Sequence, residues 1–186
     1  RVLSVASAVG ALPELIASAD ALLPPLPGGG PGAAAHEAQQ VRMALLLMHC
    51  VAVPNGAAAR GWRAMLRLLP RHIHTLLEFS QPAAAALGAS PALTEAAHTL
   101  RRLRHVYGSL FPALSESHPQ ALPAASVSFG LFRWAHAAVR SRAFRPPPRR
   151  RATAAAPPDG APPEVYAIGE LLNHAEDAPT GWRQGR

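Results

Sequence analysis

Lysine is missing from this 186-residue chain, so all 18 of its basic residues are arginine. Against 11 acidic residues they leave a formal charge of +7 and a pI of about 11.3. Such a balance suits an acidic partner. Lysine-free basicity spread along an Ala- and Pro-rich chain is also what GC-rich coding produces, and it is weaker evidence for a nucleic-acid face than a clustered stripe. Cysteine is nearly missing too. Cys50 stands alone, which excludes an internal disulfide framework and a multi-Cys zinc site and points to a reducing, intracellular setting. Cys50 is expected to be a small core residue. No apolar run reaches the roughly 18 residues that span a bilayer, so the chain is expected to be soluble, without membrane association. Also absent are a phosphate-cradling P-loop, a Gly-x-Gly-x-x-Gly after a strand, a Gly-x-Ser-x-Gly elbow and any internal repeat.

What is present reads as helix, with a length that suits one domain. Val2-Leu3-Ser4-Val5 alternates as a short strand would, and the rest of residues 1–23 shows no sustained period. Residues 24–35 are rich in Pro and Gly and are expected to form a flexible loop. Val41, Ala44, Leu45 and Met48 then predict a helix from Glu37 to Val53, ended by Pro54-Asn55-Gly56. Trp62, Met65, Leu66 and Leu69 form a second helical face before Pro70, with Trp62 as a core anchor. The longest periodic segment runs from Pro91 to Ser117, its stripe being Leu93, Ala97, Leu100, Leu103, Tyr107, Leu110 and Leu114. Arg101, Arg102, Arg104 and His105 fall mostly off that stripe and are expected to be solvated, because no aromatic platform is interleaved with them. Ser126-Val127-Ser128 supplies a cap for a helix starting at Phe129. Residues 145–163 form a Pro- and Arg-rich linker, and a short element at Glu164 to Leu172 precedes Asn173-His174.

The histidines do not make a metal site at sequence level. His72 and His74 are the closest pair, and no carboxylate or Cys stands at ligand spacing beside them.

Three pieces near the end of the chain belong together: Phe132-Arg133-Trp134-Ala135, then Ser141-Arg142, then Glu170-Leu171-Leu172-Asn173-His174. Earlier, Leu45-Leu46-Leu47 and the segment Gly61-Trp62-Arg63-Ala64-Met65-Leu66-Arg67-Leu68-Leu69-Pro70 follow the same order. This string resembles the SET-domain protein methyltransferases of the Rubisco large-subunit lysine methyltransferase-like branch. There, a helical insertion ends in an aromatic-x-Trp-Ala helix with Ser-Arg or Thr-Arg, followed by Asp-x-x-Asn-His. The resemblance implies an α+β fold of which this chain is a partial SET domain: residues 37–144 the helical insertion, 145–163 a flexible linker, 164–174 the cofactor-motif segment, with short flanking strands.

It further implies an S-adenosylmethionine-dependent protein-lysine N-methyltransferase. Asn173 and the backbone of His174 would hold the adenine end of S-adenosylmethionine. Ser141, Arg142 and Glu170 would line the pocket near its amino-acid end. Phe144 would face the channel for the target lysine of a protein substrate, packing along its aliphatic stem; the alternative is that Phe144 is ordinary core closing its helix. Glu170 departs from the family's Asp. The family's Gly-rich loop and active-site Tyr would fall before Arg1 and after Arg186, so the chain is expected to be a fragment, inactive by itself, with its catalytic residues elsewhere. A competing reading is an Arg-rich helical interaction module that binds an acidic protein or nucleic acid; the methyltransferase reading expects no nucleic acid. The compartment, whether cytoplasm, nucleus or plastid, is not distinguished.

The linker expectation has a direct check. Neither helix nor ladder suits a Pro-rich run, so limited trypsin digestion should cut first near Arg149, Arg150 or Arg151. Earlier cutting within residues 93–117 would contradict the domain division.

Overall fold

A computed structural model describes residues 2–27, 30–73, 75–142 and 164–166. Seven α-helices carry the described fold: α1 (Val5–Ala11), α2 (Pro13–Leu22), α3 (Pro31–Ala52), α4 (Ala57–Leu68), α5 (Gln81–Ala86), α6 (Pro91–Ser117) and α7 (Phe129–Arg142). A single 3-10 turn, Leu76–Glu78, precedes α5.

The organising element is α3. Every residue from Met43 to Cys50 is buried, and a helix apolar all round must be covered all round. Helices α1, α2, α4 and α7 pack against it, α7 most extensively. Two polar groups enter this core with partners. His49 Nδ1 lies 2.8 Å from the carbonyl oxygen of Ala121, so that nitrogen carries the proton and donates it. Trp134 Nε1 donates to the carbonyl oxygen of Pro70 at 3.0 Å, joining α7 to the end of α4.

Helix α6 is locked to α7 by rings. Tyr107 stacks on Phe111 at 4.6 Å between centroids, and Phe111 meets Phe132 at 5.0 Å. Only the C-terminal half of α6 is deeply embedded: Leu103, Val106, Leu110, Phe111 and Leu114 are buried, while Leu93 and Leu100 are half-buried and Ala97 is exposed. Pro112 breaks the donor ladder of α6 on its exposed side, where water can satisfy the carbonyl left without a partner.

The structure overturns the α+β class. Helix dominates the described part, and strand there amounts to one antiparallel ladder of three residues, β1 (Val2–Ser4) against β2 (Glu164–Tyr166). The physical reason is local. Ser4 ends the strand by capping α1, accepting from the Ser7 backbone N–H at 3.2 Å while Ser7 Oγ accepts from the Ser4 N–H at 2.7 Å. The Ala-rich sequence beyond it favours helix.

Helices α1 and α2 replace the aperiodic reading of residues 1–23. The loop expected over 24–35 ends at Gly30, because Pro31 sits in the first turn of α3, where its missing donor is not needed. Other bounds agree with the sequence. Helix α6 spans Pro91–Ser117, Ser128 Oγ caps α7 by accepting from Leu131 N–H at 3.1 Å, and Trp62 and Cys50 are core residues. Residues 145–163 lie outside the described part, and the proposed division at 145 and 164 therefore has no structural counterpart here.

The uneven burial of α6 is testable by urea unfolding. Leu110→Ala should destabilise by about 2–5 kcal/mol, the range for truncating a buried Leu. Ala97→Ser should stay within about 0.5 kcal/mol, as exposed substitutions do. Equal losses at the two positions would contradict this burial pattern.

Candidate functional site

The last turn of α7 holds the two expected site residues that the structure describes. Ser141 Oγ donates to the carbonyl oxygen of Ala137 at 2.7 Å. Arg142 Nη1 in turn donates to Ser141 Oγ at 2.6 Å. The Ser hydroxyl is thus engaged along its own helix, a habit of Ser in helix interiors, and it holds the guanidinium at a partly exposed helix end. Phe144, Glu170, Asn173 and His174 lie outside the described residues.

Beside Ser141 opens a cleft of about 410 Å³ between α7, the start of α6 and the 3-10 turn, walled by Thr75, Leu76, Leu77, Ala96 and Ala137. Its lining is mainly apolar with a few polar groups, which is the usual character of a small-molecule pocket. Thr75 Oγ1 is buried there without a hydrogen-bond partner, a condition that costs about 1–3 kcal/mol until a partner arrives.

Deeper in α7, His136 is buried and its Nδ1 has no partner. Burial is the main cause of a pKa lowered to about 4, and the nearby Arg140 guanidinium adds to it, partly offset by Glu37. His136 is therefore neutral at physiological pH. Cys50 is the converse case, since burial pushes its thiol up to about 11 and leaves it protonated and unreactive.

Sequence reasoning overlooked Thr75, His136 and Arg140. A usable signal existed for His136: it stands four residues after Phe132 and therefore on the same buried face of α7. Arg102 was expected to be solvated. Instead its Nε and Nη2 donate to the two carboxylate oxygens of Glu37, both at 2.7 Å, with side chains only 15% exposed on either partner. It also donates to the carbonyl oxygens of Pro24 and Pro25. Among the described residues no group of three or more His, Cys, Asp or Glu could hold a metal ion, and His74 lies outside them. No single helix among the described residues is long and apolar enough to cross a membrane.

Comparison with models of protein families, with curated proteins and with solved structures finds no match to this chain.

The state of His136 fixes the sign of a pH effect. Its folded pKa lies below the unfolded value, so between about pH 6.5 and 4 the unfolded chain binds a proton that the folded chain does not. Stability present above pH 6.5 is lost as the pH falls toward 4, by about 3 kcal/mol for this group. Urea unfolding at pH 7.5 and 4.5 should show that the acid loss is markedly smaller in His136→Phe than in the parent. An identical acid loss in the two proteins would contradict the assignment.

Proposed function

We propose that the chain is the helical part of an S-adenosylmethionine-dependent protein-lysine N-methyltransferase. The observation that carries this reading is the bond from Trp134 Nε1 to the Pro70 carbonyl. It links the aromatic-x-Trp-Ala segment to the Trp-to-Pro segment through residues that define each of them. Leu45, Leu46 and Leu47 lie in the core of α3, against which α4 and α7 both pack. Three segments of the resemblance thus share one core.

The residues at the end of α7 fit the cofactor's amino-acid end. That end carries a carboxylate, and Arg142 offers a permanently charged guanidinium held in place by Ser141. Glu170 would meet the ammonium, and Asn173 with the His174 backbone the adenine. Chain connectivity helps bring these together, because β2 packs against α7 and Glu170 follows Tyr166 by four positions, at most about 14 Å of extended chain. The cofactor would supply a methyl group on a sulfonium. A neutral lysine amine, aligned along the Phe144 side chain, would attack that carbon as the carbon–sulfur bond breaks toward sulfur and the amine proton leaves to solvent. The protein's part is alignment and exclusion of water.

A second reading has its own observation. Arg60, Arg63 and Arg67 are all exposed on α4 at three- and four-residue steps, a basic row that an acidic protein or nucleic acid would fit. It leaves the order of the other segments without a cause.

In the full-length protein, Asn173→Ala should weaken S-adenosylmethionine binding by roughly 5- to 150-fold, the equivalent of about 1–3 kcal/mol for one lost buried amide partner. Calorimetry showing unchanged affinity with an intact fold would contradict the site.

A further inference from the structure

Helices α3, α6 and α7 line a groove of about 930 Å³ that no role above uses. It is lined by His36 and Gln40 from α3, His98 and Arg101 from α6, and His136 and Arg140 from α7. These positions are 58 or more apart between α3 and α6 and 35 to 42 apart between α6 and α7, so their convergence is a product of packing.

The groove's charge is lopsided. Glu37 also lines it, but both of its carboxylate oxygens are taken up by Arg102, so that pair adds no net charge to the wall. Arg140 is exposed and has no hydrogen-bond partner among the described residues. Arg101 is exposed, and its one hydrogen-bond partner among the described residues is His98, its Nη2 lying 3.2 Å from His98 Nδ1. One carboxylate, Glu95, stands where the groove adjoins the cleft beside Ser141, with no ion pair to either arginine.

His136 supplies the second observation. It is more than nine-tenths buried at the base of the groove. Its Nδ1 is sealed from water without a partner, so the proton of the neutral ring belongs on Nε2, the nitrogen that keeps access to the groove. His136 thus adds one N–H donor to a lining that also carries Arg101 and Arg140.

We propose that this groove binds a small phosphorylated anion, gripped between Arg101 and Arg140 with the His136 Nε2–H donating from below. Guanidinium forks match phosphate oxygens two at a time, and two of them suit a dianion better than a single carboxylate. The volume lies within the range of small-molecule sites. Among the described residues no Phe, Tyr or Trp lines the groove, which removes the large stacking platform that a single-stranded nucleic acid favours.

Inorganic pyrophosphate, titrated calorimetrically into the full chain at fixed pH and ionic strength, is the probe. Saturable one-site binding is expected, weakened about tenfold or more by Arg140→Gln and by Arg101→Gln, since each removes charge-assisted hydrogen bonds. Both side chains are exposed, and the variants should keep the parental melting temperature in the absence of pyrophosphate. Arg63→Gln, on exposed α4 outside the groove, should bind as the parent does. Absence of saturable binding would overturn the proposal, as would a loss in Arg63→Gln equal to that in Arg140→Gln, which marks diffuse attraction to a basic protein.

Discussion

The fold depends on covering one helix on every side. Met43 to Cys50 in α3 is buried throughout and apolar but for His49, and the hydrophobic effect scales with the apolar surface withdrawn from water. Helix α7 does most of that covering, which explains why its own buried run, Ala135 to Val139, is dominated by small side chains. Small residues let two helix backbones approach, and Phe132 fills the space where α6 joins them. Helix α7 is thus held firmly along its length, and its last turn presents Ser141 and Arg142 from a rigid base.

Polar groups set the register that apolar contact alone leaves loose. The Glu37–Arg102 pair, with the Pro24 and Pro25 carbonyls on the same guanidinium, ties α6 to the start of α3 and to the turn before it. Removing either charge would leave the other nearly buried and unpaired, which is more damaging than the pair is stabilising. His49 and Trp134 act similarly with single neutral bonds to backbone carbonyls. His136 differs, because its buried Nδ1 has no such partner among the described residues, an uncommon condition for a buried polar group.

Long amphipathic elements were legible in the sequence. The Pro91–Ser117 helix, the cap at Ser128 and the core role of Trp62 follow from period and capping chemistry and appear in the structure. The short helices were not. Leu15, Ile16 and Ala19 occupy barely more than one turn of α2, too few repeats for a period to show. Pro13 and Pro31 at helix starts were signals that a reading of Pro as a breaker passed over. The α+β expectation came from the resemblance, and the described residues are helical because Ser4 turns the chain into α1 after a single short strand. The groove was illegible for a different reason: His36, Arg101 and His136 have nothing in common until three helices pack. Of the expected site residues the structure describes Ser141 and Arg142, neighbours in the last turn of α7, whereas Phe144, Glu170, Asn173 and His174 lie outside the described residues.

Methyl transfer itself is the most direct test of the central claim. The full-length protein, incubated with S-adenosylmethionine carrying a labelled methyl group and with peptide libraries, should label lysine side chains, since under the proposed assignment Phe144 would offer an apolar wall to an aliphatic stem and no hydrogen bond to an imidazole. Labelling of histidine without lysine would contradict the acceptor assignment, and no transfer to any peptide by a folded protein that does not bind the cofactor would contradict the methyltransferase reading as a whole.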